Sequence, residues 1–202
     1  AQEEYPGRPI ELVVPWGPGG SGDLSARSYN ETLSRLLKVG VTIGNRAGGS
    51  GVAGINYVVH AKPDGYTLLS AHTGELAVNP VMFKSMPYDE NTFSPVIMLS
   101  DAPMLIVVNA GNNSINSIKD LVATAKAKPG VVNFGSPGTG SVNHMASEWF
   151  AAAAGAKMTH VPYKGGAPAV VAVATNDATF TVAGLPGVLP HLNGKRVKVL
   201  GI

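Results

Sequence analysis

The stretch VVPWGPGGSGDLSAR, residues 13–27, sets a short apolar run against a turn holding two prolines and four glycines, then opens an amphipathic segment. A buried strand that passes through such a turn into a helix leaves the first helical N–H groups without acceptors and places a partial positive charge there. Glycine lets the backbone approach a ligand closely and adopt positive φ without strain. The pattern therefore describes a turn that can hold an anion through its backbone. It equally describes a tight turn with no ligand at all, and the rest of the chain has to decide.

The same order recurs. IELVV (10–14) reads as a buried strand and 21–37 as a helix, with Leu24, Leu33, Leu36 and Leu37 at helical spacing. VTI (41–43) is a second strand, followed by NRAGGSGVAG and an apolar helix through Ile55, Val58 and Val59. YTLLS (66–70) is a third, opened by the turn PDG at 63–65. Residues 74–91 show no clear period. PVIMLS (95–100) and LIVV (105–108) read as strands, and 117–128 as a helix with Ser117 as N-cap and Asp120 three residues on. VNFGS (132–136), MTHV (158–161), ATFTVA (178–183) and VKVLGI (197–202) follow as strands, with helices over 141–154 and 167–174. This alternation predicts parallel sheets built from βαβ units. The weak span 101–117, with Asp101, Pro103 and AGNNSINS, divides the chain into two α/β lobes, 1–101 and 102–202, and predicts a ligand cleft between them.

Composition narrows the function classes. The chain has 202 residues, 45% hydrophobic and 14% charged, which fits a globular protein and excludes a disordered or coiled-coil chain. Its net charge of +2 comes from 15 basic and 13 acidic residues without a Lys/Arg cluster, so nucleic acid is not an expected partner. The absence of cysteine excludes disulfides, a thiolate nucleophile and a Cys-ligated metal. No apolar run approaches the roughly 18–20 residues that span a membrane. The start, AQEEYPGRP, fits a chain from which a signal peptide has been removed after a small residue. It fits an arbitrary starting point equally well.

Three loops sit where an open parallel sheet binds ligands, beyond the carboxyl ends of strands: PWGPGGSGD (15–23), SAHTGE (70–75) and GSPGTGSVNH (135–144). One helix start contributes about 0.3–1 kcal/mol, or about 2 when partly buried. Micromolar binding needs about 8 kcal/mol, so several loops must converge.

The enzymatic alternatives lack their signatures. Residues 17–22 and 49–54 both fit G-x-G-x-x-G, but the acidic residue that a dinucleotide fold requires about 20 positions on is replaced by Asn45 and Arg46. Neither a phosphate-binding G-x-x-x-x-G-K-[ST] loop nor a G-x-S-x-G elbow occurs. His60, His72, His144, His160 and His191 do not fall at metal-ligand spacing. No cofactor, metal or catalytic residue is expected. His160 and His191 read as structural, whereas His72 and His144 lie in candidate loops. Asp23 is expected to cap the first helix with its side chain. Trp16 reads as core or as a wall of the cleft, Tyr163 as a residue at a strand end within reach of it, and Lys164 as a solvated neighbour.

YPGRPIELVVPWGPGGSGD, NRAGGSG, PDGYTLL, NPVMF, MPYD, SPV, KPGVVNFGSPGTGS, HVPYKGGAPA and LPGVLPHL appear in order along the whole chain. This succession resembles the Bug family of periplasmic solute-binding receptors, the extracytoplasmic component of tripartite tricarboxylate transporters. The resemblance implies a two-lobed, periplasmic-binding-protein-like Venus-flytrap fold that closes on a small carboxylate. It implies a di- or tricarboxylate held largely by backbone amides, hydroxyls and ordered water, and delivery to membrane transporter subunits or a sensor domain. Gly20, Ser21, Gly22 and Asp23 match the first loop, beside Trp16. His72, Thr73 and Gly74 match the second, and Gly138, Thr139, Gly140 and Ser141 the third. Pro162 and Tyr163 match the family's V-P-Y. The family often carries Asp before L-P; here TVAGLPG places Ala183 and Gly184 at that point. The chain also ends at VKVLGI, before the family's usual C-terminus. The first lobe is therefore expected to lack its return segment, and a relative without transport duty, acting as a self-associating module, is the alternative reading.

Overall fold

The computed structural model describes residues 4–89 and 91–202, which form two units, Ala1–Ile97 and Met98–Ile202. In the first unit, β1 (Ile10–Val14), β2 (Val41–Asn45) and β3 (Thr67–Leu69) make a parallel sheet in the order β2-β1-β3. Leu12 pairs in register with Ile43 on one side and Leu68 on the other. Ile10, Leu12 and Val14 face one way and bury against Ala26 of α1 (Ser21–Leu37), with Tyr29 and Leu33 closing the layer. Val13 points the other way and is equally buried, as a strand covered on both faces requires. A short 3₁₀ turn (Gly49–Gly51) leads into α2 (Val52–Val59), and a π-helical turn (Gly74–Val78) leads into α3 (Asn79–Met82).

The second unit contains β4 (Met104–Asn109), α4 (Ile118–Ala127), β5 (Asn133–Ser136), α5 (Val142–Ala154), β6 (Thr159–Pro162), α6 (Gly166–Ala174), β7 (Phe180–Gly184), α7 (Leu185–Asn193) and β8 (Val197–Gly201). The sheet order is β6-β5-β7-β4-β8. Alternate residues of β4 feed two cores. Leu105 and Val107 join Val170, Val173 and Val188 on one face, and Val108 joins Leu121, Phe134 and Phe180 on the other. Ser117 caps α4 as its position implies, its hydroxyl accepting the Asp120 N–H at 3.2 Å.

Three expectations are corrected. The second sheet is mixed, because β4 runs antiparallel to both β7 and β8 while β5 is parallel to β6 and β7. Strand–helix alternation constrains how successive strands connect, but the direction of β4 depends on the end from which the chain enters the sheet. PVIMLS forms no strand: Val96, Ile97 and Met98 are at least 75% exposed, and among the described residues no ladder partner lies beside them. LPGVLPHLN, in contrast, forms the unforeseen helix α7. Pro186 falls in its first turn, where a missing N–H costs nothing, and Pro190 is carried in its interior. No helix among the described residues is long and apolar enough to cross a membrane.

Phe180 is fully buried against Phe134 and Phe150, with ring centroids 5.6 and 5.7 Å away. Phe180→Ala should lower the unfolding free energy by about 3–5 kcal/mol in urea titrations. A loss below about 1 kcal/mol would contradict this core assignment.

Candidate functional site

In the first unit the three loops that follow the parallel strands all leave from the same, carboxyl end of the sheet. The turn after β1 enters α1 through Gly20, the N-cap, which has φ −77°, ψ 168° and no side-chain cap. The expectation that Asp23 caps the helix is therefore corrected. Asp23 lies one turn in and reaches back, accepting the Gly19 N–H at 2.9 Å. It also accepts from Arg27 Nε and Asn45 Nδ2, each at 3.0 Å. Asn45, at the end of β2, donates to the Trp16 carbonyl from the same amide. This network shapes the turn around Gly20, Ser21 and Gly22, of which the two glycines are buried. Burial pushes the Asp23 carboxyl up, but the bonds from Arg27, Gly19 and Asn45 outweigh it and hold the group below its ordinary value.

Glu75 organises the loop after β3 and was not among the residues the sequence singled out. Its side chain is 2% exposed. It accepts the Trp16 indole N–H, and the His72 N–H at 2.6 Å. Its own carbonyl accepts the Tyr88 hydroxyl at 2.5 Å. Trp16 is thereby placed in the core of this unit with its polar edge turned to Glu75. His72 remains partly exposed and its ring lies on Gly22, where a Cβ would meet Cε1 at 2.6 Å. Thr73 is exposed and Gly74 buried. The acid in SAHTGE, alone among small and hydroxyl residues, was the signal available for Glu75.

The third loop of this unit, 48–51, follows β2. Gly51 has φ 92° and presses on Glu75, where a Cβ would come 2.8 Å from Cγ. Asn79 Nδ2 donates to the Ser50 carbonyl at 3.0 Å. Gly54 accounts for the end of the second G-x-G-x-x-G: a Cβ there would fall 2.7 Å from Pro15 Cα and 2.8 Å from the Arg46 carbonyl. That glycine serves close packing of α2 on the end of β1.

In the second unit β5, β6 and β7 are parallel neighbours, and their carboxyl ends gather the remaining candidates. Between β5 and α5, Gly138 and Gly140 take φ of 146° and 87°. Ser141 caps α5, accepting the His144 N–H at 3.2 Å and donating to the Gly138 carbonyl at 2.8 Å. His144 Nδ1 in turn accepts the Gly140 N–H at 3.2 Å. Thr139 stands exposed at the tip of the loop. His160 fills the structural role its position implied: Nε2 lies 2.7 Å from Ser136 Oγ, and the ring stacks on Phe134. Burial, helped by His144 at 4.0 Å between ring centroids, pushes the His160 imidazole down to about 4.

Pro162 ends β6 and is exposed. Tyr163 donates its N–H to the Ser136 carbonyl at 2.8 Å and lays its ring on Gly135. Ala183 is buried in the sheet core, and Gly184 is the N-cap of α7. Asn143, in the first turn of α5, donates to the Val182 carbonyl at 2.7 Å and ties that helix to β7. Among the described residues no three His, Asp or Glu side chains converge as a metal site.

Two α/β units that gather glycine loops at the carboxyl ends of parallel strands have the architecture of periplasmic binding proteins, and solved structures agree. A structure described as a periplasmic transporter matches with a TM-score of 0.93 and 33% identity, covering 97% of this chain and 66% of the other. The R. palustris protein Rpa4515, solved with adipate, gives the same TM-score and identity, covering 98% and 66%. MatC from Rhodopseudomonas palustris, solved with bound malate, gives 0.89 at 25% identity, covering 97% and 67%. In sequence, BugT of Bordetella pertussis is 37% identical over 99% of this chain, which spans 62% of that protein. Residues 25–202 match the family described as "Tripartite tricarboxylate transporter family receptor", and the chain belongs to that family.

The Asp23 network gives a test of the first loop. Asp23→Asn cannot accept from all three donors, and should destabilise the protein by about 1.5–3 kcal/mol near neutral pH. Because folding depresses this carboxyl, its contribution is full above about pH 4 and is lost as pH falls through the folded value. The gap between variant and wild type in denaturant titrations should therefore close on acidification. A gap that widens there would contradict the assignment.

Proposed function

We propose that the protein is a periplasmic solute-binding receptor that captures a small organic carboxylate and passes it to the membrane subunits of a tripartite tricarboxylate transporter. It makes and breaks no covalent bond. The observation that carries this reading is the gathering of glycine turns and helix starts at the carboxyl ends of parallel strands in both units. In the first these are the turn 16–23 and the loop 72–74, and in the second 138–141 with Pro162, Tyr163 and Gly184. Ligand carboxylates are held by N–H groups and hydroxyls of these turns.

Several features support the reading. Arg27 is engaged by Asp23 and Asn45, which leaves the peptide dipoles of the first turn to meet an anion there. Hydroxyls and positive-φ glycines at the third loop suit close approach of a ligand to the backbone. Adipate and malate, the ligands named for two relatives, are both dicarboxylates and fit a clamp with two anion-binding ends.

Titration calorimetry tests it. Adipate or malate should bind with a Kd near the micromolar range, about 8 kcal/mol, and the corresponding diamide at least about tenfold more weakly, which is about 1.4 kcal/mol. Gly140→Val, which forces a β-branched residue to φ 87°, should weaken binding by a similar factor while leaving the circular dichroism spectrum unchanged. Absence of saturable binding for every dicarboxylate, or unaltered binding by the folded variant, would contradict the reading.

A further inference from the structure

A receptor for anions that buries a carboxylate within one of its jaws faces an electrostatic problem. Glu75 lies under all three loops of the first unit. Its oxygens take the Trp16 indole N–H and the His72 N–H, and its aliphatic stem is pressed by Gly51. These contacts fix the loop geometry but leave a negative charge beneath a site meant for another. Among the described residues, His72 is the one cationic side chain within ion-pair distance of Glu75, with Nδ1 3.8 Å from Oε2.

The same ring also packs on the first loop of this unit. A Cβ on Gly22 would meet His72 Cε1 at 2.6 Å and Nε2 at 3.1 Å, so the imidazole lies on the first turn of α1. Its side chain is 40% exposed, and solvent protons reach it. The surrounding elements offer no competing charge. On α1, Asp23 and Arg27 pair with each other. Trp16 after β1, Ser50 and Gly51 after β2, and Asn79 on α3 are neutral. The Tyr88 hydroxyl donates to the Glu75 carbonyl.

We propose that Glu75 is the positioning residue of this jaw and that it holds His72 as a proton-dependent cationic contact for the ligand carboxylate, so that carboxylate binding takes up a proton. The proposal rests on the receptor reading above. Neutral His72 leaves two anions, Glu75 and the ligand, facing one uncharged ring. Protonated His72 stands between them with a donor toward each. The Glu75 carboxylate beside the ring raises the His72 imidazole above its ordinary value, against an opposing contribution from burial. For a raised histidine the charge is fully present below about pH 6.5 and is lost as pH rises through the higher folded value. Carboxylate affinity therefore strengthens on acidification through that window and then levels off.

The test combines NMR titration of the His72 ring in ligand-free protein with calorimetry of adipate and malate from about pH 6 to pH 9, in buffers of different ionisation enthalpy. His72 is expected to titrate above about 6.5. Binding of whichever dicarboxylate is taken should weaken about tenfold across the range, with proton uptake on the alkaline side. Glu75→Gln should move the His72 titration and the affinity profile together to lower pH. His72→Gln should bind more weakly with a flat profile, and it serves if Glu75→Gln fails to fold. A His72 that titrates at or below the ordinary value overturns the proposal even where dicarboxylates bind tightly. So does a wild-type profile that is flat and free of proton uptake. Absence of dicarboxylate binding at every pH overturns the receptor reading and the linkage with it, whereas the ligand-free titration judges the Glu75–His72 pair separately.

Discussion

A helix that begins directly after a parallel strand starts with N–H groups that have no acceptor inside the helix, and this protein meets that demand differently at each junction. At α5 a serine hydroxyl caps the start and also grips the preceding turn. At α1 the N-cap is glycine, and the shaping falls to a carboxylate one turn later that reaches back to Gly19. At α7 glycine again caps, with proline in the first turn. All these starts lie at carboxyl ends of parallel strands, so the same rule that orders the strands collects the positive helix ends.

Magnitudes favour a clamp built from many small contributions. A single helix start is worth about 0.3–2 kcal/mol toward an anion, well short of the roughly 8 kcal/mol of micromolar binding. In the proposed receptor, several turns, hydroxyls and a positioned histidine add toward that total. Cations near the first unit's loops are already paired: Arg27 with Asp23, and Arg46 with Glu11. Several loop glycines have little room beside them: a Cβ on Gly22, Gly51 or Gly54 would come 2.6, 2.8 or 2.7 Å from a neighbouring atom.

Much of this was legible in the sequence because the local signals agree. IELVV, the helix at 21–37 and Ser117 as a cap each have a single physical reading, and the structure repeats them. The failures come from non-local information. PVIMLS is apolar and β-prone but finds no strand to pair with among the described residues, and the direction of β4 is not encoded in its own residues. LPGVLPHLN hid a helix behind two prolines. At the site, Asp23 does not make the cap its position suggested, because its partners Gly19, Arg27 and Asn45 come together only in the fold. Glu75 was not singled out, and its bonds to Trp16 and the His72 N–H likewise arise only in the fold. Family resemblance, not local chemistry, is what proposes that several of these glycine turns serve one ligand.

Backbone recognition is the central claim, and amide NMR reads it directly. Titrating ¹⁵N-labelled protein with adipate and malate should shift the N–H resonances of Gly20, Ser21 and Gly22 and those of Gly138, Thr139 and Gly140 saturably. Shifts centred on lysine and arginine side chains with these amides unmoved would contradict it.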